Sequence, residues 1–261
     1  MLGVVVLGAV IGVLVGLTSV GSGSLLTPIL SLDYSQFLTG ALAVGTATTA
    51  GTIMKVVSSI RNYLRRSLQK GYAFMIAITG VPMAVIGAML TDTIVKWNIF
   101  NPLLSSVLIV AALAIIFEIR RGGKDRVYSD PRMTPGLRIK GMAVGAYVGL
   151  IAGMTGVATG SLLVASLMII LKFQPRTAAT VAIFEGGIIL FAAMLVQIYL
   201  GNVNWLFVGL LLAGSIPGIL IGNHYKDTVN QRFLGYAIAA LIIFESARVV
   251  LKFLGLDFFI F

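Results

Sequence analysis

Two short polar stretches interrupt an otherwise apolar chain, at Thr18-Ser19-Val20-Gly21-Ser22-Gly23-Ser24 and at Thr155-Gly156-Val157-Ala158-Thr159-Gly160-Ser161. Each mixes hydroxyl side chains, which donate hydrogen bonds without a fixed charge, with glycines, which let the backbone turn. Each is followed by an apolar run opening on a Leu-Leu pair, so each break ends at a helix N-terminus, with Ser24 and Ser161 read as the starts. Unpaired N–H groups and a partial positive charge make such an end a binder of anions. Two such ends meeting near the middle of a membrane hold a small oxyanion. The candidate ligands are Thr18, Ser19, Gly21, Ser22, Gly23 and Ser24 from the first break, and Thr155, Gly156, Thr159, Gly160 and Ser161 from the second.

The second candidate is Glu185, the one carboxylate deep within an apolar run. Intramembrane carboxyl groups are costly and face a cavity or the bundle interior. A bare carboxylate repels an anionic substrate, so Glu185 is read as a carrier of coupled protons rather than a substrate contact. Other polar residues have plainer readings. Lys55, about a turn from the inner end of its run, snorkels to the interface. Glu118 with Arg121, and Glu245 with Arg248, are three apart and pair on their helix faces. Trp97 and Trp205 sit near the ends of runs as interfacial anchors. Gln197, Asn202 and Asn223 offer nothing beyond polarity. His224 is the only histidine and there is no cysteine, so no zinc site and no thiol chemistry is available.

These residues need elements to position them. Of 261 residues 58% are hydrophobic and 11% charged, too little polar surface for a soluble globule, and several runs exceed the length that spans a bilayer. Strand alternation is absent, so the chain reads as an all-α polytopic membrane protein. The net charge of +10 does not point to nucleic acid, because it is concentrated between apolar runs. Arg61, Arg65, Arg66 and Lys70 form one cluster; Arg120, Arg121, Lys124, Arg126, Arg132, Arg138 and Lys140 form another. Both mark cytoplasmic loops.

The chain is written twice. Gly8, Gly12 and Gly16 precede the first break; Gly145, Gly149 and Gly153 stand 137 residues later before the second. Spacing of four is a packing pattern, so these stripes are read as helix contacts. Gln36 and Thr39 match Gln174 and Thr177; Gly80, Pro82, Gly87 and Asp92 match Ser215, Pro217, Gly222 and Asp227. The predicted helices run over 2–17, 24–32, 37–60, 71–90 and 99–119 in a first repeat (1–119), and 141–154, 161–171, 177–199, 205–223 and 233–252 in a second (141–261). A basic cytoplasmic loop, 120–140, joins them. If 141–171 crosses the membrane once, Lys172, Arg176, Lys226 and Arg232 lie outside; if it enters and returns, they lie inside, which the charge rule prefers. The expectation is two inverted repeats, each a Gly-broken helical hairpin followed by three transmembrane helices, with both termini outside.

Gly21-Ser22-Gly23 with Leu25, Leu26 and Pro28 resembles the G-x-G-G-G-x-x-x-x-P stretch of the TauE/SafE sulfite exporter family (TSUP permeases). Ala43-Val44-Gly45-Thr46-Ala47 resembles that family's A-x-G-T-S stretch, which adds Thr46 to the substrate candidates. Gly201 to Trp205 resembles its G-x-V-D-W entry to a later helix, with Asn204 for Asp. The resemblance covers nearly the whole chain. Ser19 and Ser22 stand where glycines are usual, Ala165 replaces the second proline, and Ile183-Phe184-Glu185 stands at the place of a Gly-Thr pair.

The resemblance implies movement of a small sulfur-containing anion, such as sulfite or sulfoacetate, by a secondary transporter of the cytoplasmic membrane. Proton coupling is expected at Glu185, and a passive anion channel on the same fold is the alternative. No G-x-x-x-x-G-K-[ST] or H-E-x-x-H is present, and His224 lies far in depth from the breaks, so neither ATP hydrolysis nor another enzymatic activity is expected. The expected partners are the anion and the bilayer, with no nucleic acid, cofactor or metal; a homodimer is left open.

Overall fold

The computed structural model describes residues 1–18, 22–63, 70–97, 99–121, 135–157, 159–173, 175–225, 236, 240, 243–244 and 246–251. Among these, every regular element is helical. In order they are α1 (Leu2–Thr18), α2 (Ser22–Leu32), α3 (Gly40–Tyr63), α4 (Lys70–Lys96), α5 (Phe100–Arg121), α6 (Pro135–Thr155), α7 (Ser161–Ile169), α8 (Pro175–Tyr199) and α9 (Trp205–Tyr225). Residues 246–251 are helical as well. Five stretches are long and apolar enough to cross a membrane: Gly40–Ser59, Phe74–Lys96, Pro135–Thr155, Val181–Tyr199 and Trp205–Tyr225. The outward faces carry Val6, Val10, Phe74, Ile78, Met89, Phe191, Leu195, Leu206, Leu220 and Ile221, all exposed. A belt of that size is stable only against hydrocarbon, so the chain is a polytopic all-α membrane protein.

The basic loop is shorter than the sequence suggested. The α5 helix runs through Arg121 and α6 starts at Pro135, so Arg138 and Lys140 lie exposed on a first turn opened by proline. Residues 122–134 lie outside the described set. Nor is 91–98 a loop, because α4 continues to Lys96 through Ile94 and Val95. The first break also closes earlier than expected, with α2 starting at Ser22 rather than Ser24.

Without a hydrophobic drive between helices in lipid, packing depends on close backbone approach through small residues. The glycine stripes provide it. A Cβ at Gly8, Gly12 or Gly16 of α1 would strike the carbonyls of Leu211, Ser215 and Ile219 on α9. A Cβ at Gly145, Gly149 or Gly153 of α6 would strike those of Ile76, Gly80 and Ala84 on α4. The second set is the first shifted by 137 residues on one helix and 135 on the other, the offsets of the sequence repeat. Contact numbers rise together along both pairs, so α1 runs parallel to α9 and α6 to α4. On α3 and α8 the order is reversed: Gly51 meets Leu190 and Lys55 meets Gly186 and Gly187, while Gly45 meets Asn202 just beyond α8. Those two helices are therefore antiparallel.

The core divides accordingly. One apolar cluster joins α1, α2, α3 and α5 with Phe207, Leu211 and Ile219 of α9. The other joins α6, α7 and α8 with Ile76, Ala84 and Ala88 of α4. Each half thus lends a helix to the core of the other. Both α2 and α7 are largely buried in the bundle.

Replacing Gly149 with alanine should cost ~1–3 kcal/mol, the range for an overpacked contact, and lower the thermal unfolding temperature in detergent. Gly209→Ala, where a Cβ meets nothing within 4 Å, should be neutral or stabilising by up to ~1 kcal/mol. Equal effects at the two sites would contradict the backbone contact.

Candidate functional site

The two breaks adjoin. Gly23, in the first turn of α2, lies so close to the second break that a Cβ there would strike the Gly156 carbonyl, with Val157 Cα at 3.2 Å. Gly156 has φ +71°, in the left-handed region where a side chain is strained. A Cβ at Gly156 would lie 2.8 Å from Thr48 Oγ1 of α3, 3.0 Å from Thr27 Oγ1 of α2 and 3.5 Å from the Val44 carbonyl. Two helices of one half therefore close on the break of the other.

The hydroxyls at this junction differ in how they are used. Thr155 is spent locally: its Oγ1 donates to the Ile151 carbonyl at 2.7 Å and accepts from the Val157 N–H at 3.2 Å. Thr48 Oγ1, Thr27 Oγ1 and Ser24 Oγ are buried and have no hydrogen-bond partner among the described residues. An orphaned buried hydroxyl costs free energy unless something supplies the missing partner. Two of them, Thr27 on α2 and Thr48 on α3, meet at Gly156 and point to a polar guest. Ser22 faces Gly51 across the same gap, its Oγ 3.4 Å from a Cβ built there. Thr48, Gly51 and Lys55 fall at i, i+3 and i+7, one stripe of α3 that runs along both breaks.

The structure assigns Lys55 a different place from the one expected. It does not snorkel. Lys55 is 2% exposed, and its Nζ donates to the Thr159 carbonyl of the second break at 2.8 Å. On the facing helix, Gly186 makes room for it: a Cβ there would sit 2.5 Å from Lys55 Nζ and 2.6 Å from the Thr159 carbonyl. Glu185, next in the chain, is fully buried, and neither carboxyl oxygen has a partner among the described residues.

Other candidates are placed as follows. Thr46 is buried, and its Oγ1 accepts from the Asn204 N–H at 3.0 Å, tying α3 to the turn before α9. Gly160 precedes α7 as its N-cap without a side-chain cap, so the start of α7 lacks a side-chain acceptor. Thr159 is buried beside Gly186. Ser161 opens α7, and Thr18 ends α1. Ser19 and Gly21 lie outside the described residues, as does Glu245 of the expected Glu245–Arg248 pair. Arg248 forms an ion pair with Asp33. His224 is exposed in the last turn of α9, against Tyr225, and Trp97 and Trp205 are exposed at helix ends.

A second polar group was not legible in the sequence. Gln197, fully buried, donates to Thr91 Oγ1 at 3.0 Å, and Asn202 donates to Asp92 and to Gln197 Oε1, each at 3.1 Å. Thr91 reaches the Gly153 carbonyl at 3.3 Å. Asn202 also presents its carbonyl to Gly45. The network joins α3, α4, α6 and α8 at the end of α3 opposite Lys55. A paired Asp92 between helix end and turn was the available signal.

Against known proteins, a sequence model of the sulfite exporter TauE/SafE family matches residues 4–249. The chain belongs to that family, and is a membrane transporter of the TauE/SafE type. Among its relatives in Bacillus subtilis (strain 168), the probable membrane transporter protein YjnA is 24% identical over 261 residues, 95% of this chain and 98% of the relative. The probable membrane transporter protein YunE is 26% identical over 267 residues, 96% and 94% of the two chains. No solved structure matches the chain significantly.

The junction sets a stability test. Gly156 and Gly201 both have positive φ, but a Cβ at Gly201 meets nothing within 4 Å. Both alanine variants carry the backbone strain of ~1–3 kcal/mol; only Gly156→Ala adds a clash with Thr48 and Thr27. Thermal unfolding should show the larger loss at Gly156. A loss at Gly201 as large would contradict the tight junction.

Proposed function

We propose that the chain carries a small sulfur-containing oxyanion or organosulfonate, such as sulfite or sulfoacetate, across the cytoplasmic membrane through the junction of its two breaks. The observation that carries this reading is the meeting of Gly23 and Gly156 beside the hydroxyls of Thr27 and Thr48, which have no partner among the described residues. Non-helical backbone at membrane depth is tolerated where protein encloses it or a cavity runs beside it. Hydroxyl and backbone donors match the oxygen acceptors of a sulfonate or sulfite group. The names of the relatives, probable membrane transporters, agree with a permease.

In this reading the halves are inverted repeats. The antiparallel run of α3 and α8, which are counterparts in the repeat, supports opposite orientations, as does the pairing of α1 with α9 and of α6 with α4. With the basic stretches 61–70 and 122–134 in the cytoplasm, both termini face outside and 141–171 enters and returns. A single cysteine replacing the exposed Lys172, in a chain that has no other cysteine, should then react with an impermeant thiol reagent only from the cytoplasmic side. Labelling only from outside would defeat the inverted plan.

Glu185 is the proton carrier of the cycle. It is buried beside the second break, with both oxygens unpartnered, so it can take up and release a proton without breaking a fixed pair. In proteoliposomes at fixed membrane potential, Glu185→Gln should retain exchange of radiolabelled sulfite or sulfoacetate but lose accumulation driven by a pH gradient. Equal pH dependence in the native protein and the Gln variant would remove the coupling role. Saturable counterflow is expected of a carrier; flux that is linear in concentration and blind to the pH gradient would establish the channel instead.

A further inference from the structure

The buried charge between the breaks has a use beyond the hydroxyls. Lys55 contributes an ammonium with three N–H donors, and the Thr159 carbonyl accepts one of them. Among the described residues no carboxylate pairs with it; Arg248 and Asp33 form an ion pair elsewhere. Glu185 is one residue from the glycine that abuts Nζ, and its oxygens have no partner among the described residues either. A buried ammonium without a counter-charge is among the most costly arrangements a protein interior can hold. A helix stripe that delivers one to the meeting point of two helix starts, opposite a glycine that makes room for it, is suited to receive a negative guest.

The geometry points to Lys55 as the cationic anchor that holds the charged group of the transported anion at the Thr159 end of the junction. Thr48 stands on the same stripe of α3 as Lys55, and the hydroxyls of Thr48 and of Thr27 on α2, which have no hydrogen-bond partner among the described residues, lie at Gly156 of the same break. The ammonium takes the charged group of the anion, and the hydroxyls donate to its oxygens. This rests on the transport reading above and gives the site its selectivity for charge.

The test uses detergent-purified full-length protein and thermal unfolding with sulfoacetate, sulfite and, as a control for ionic strength, chloride. Native protein should be stabilised by sulfoacetate and by sulfite, and chloride should not stabilise it. Lys55→Met should weaken sulfoacetate binding at least tenfold, about the loss of one charge-assisted hydrogen bond. Without anion, Lys55→Met should unfold at the native temperature or above it, because an unpaired buried charge has been removed. Lys55→Arg keeps the charge and should bind more tightly than the Met variant. Native-like binding by Lys55→Met would overturn the anchor and leave the transport reading intact. A Met variant that unfolds several degrees lower without anion, or does not fold, would make Lys55 a structural tie to Thr159 and overturn the anchor likewise. If the native protein binds neither sulfur anion, the substrate class of the transport reading falls and the anchor falls with it.

Discussion

Backbone N–H and C=O groups have no water to bond inside a bilayer, and that constraint governs this fold. Polar stretches interrupt the apolar chain twice, after Thr18 and after Thr155, and α6 ends at the second. Each interruption must be enclosed by protein. The enclosure is built by the glycine contacts: α1 lies backbone to backbone on α9, and α6 on α4, so each half clamps a helix of the other around its own break. With side chains at Gly12 or Gly149 the helices would stand apart, and the breaks would open to lipid. The stripes and the breaks, adjacent in sequence, are thus one device. The stripe supplies the wall, and the break supplies the polar interior.

The charged residues follow from that enclosure. The outward faces are apolar. Among the described residues two charged side chains are buried, Lys55 on α3 and Glu185 on α8, and both lie beside the second break. They come from antiparallel counterpart helices yet occupy unmatched positions, so the pair breaks the symmetry of the repeat. A duplicated scaffold with a single cation and a single acid at its centre can treat a charged substrate and a proton differently. The Gln197–Asn202–Asp92 network, at the other end of α3, pins the turn after α8 to α4.

Much of this was written in the sequence, and the parts that were not share a cause. The helices, the repeat and the stripes are set by residue type at fixed spacing, and Gly8 to Gly16 match Gly145 to Gly153 in space as they do in order. The breaks announced themselves because glycine and serine are out of place in an apolar run. What spacing cannot carry is which face meets which. Lys55 looked like an interfacial lysine because its distance from the end of a run was readable and its neighbours on α8 were not; only the crossing of α3 with α8 at Gly186 buries it. That the Thr155 hydroxyl bonds locally to Ile151 depends on where α6 ends, which spacing does not give. Gln197 and Asn202, polar and otherwise silent, gained meaning from helix ends that meet across more than a hundred residues.

The central claim is that an anion sits where the two breaks meet. It is tested most directly by growing crystals of the protein with selenite or selenate, heavy analogues of the sulfur oxyanions, and collecting at the selenium absorption edge. Anomalous density is predicted between Gly23, Gly156 and Thr159, within hydrogen-bond reach of Lys55 Nζ or of the Thr48 hydroxyl. Density confined to the protein surface, with the junction empty at saturating anion, would contradict it.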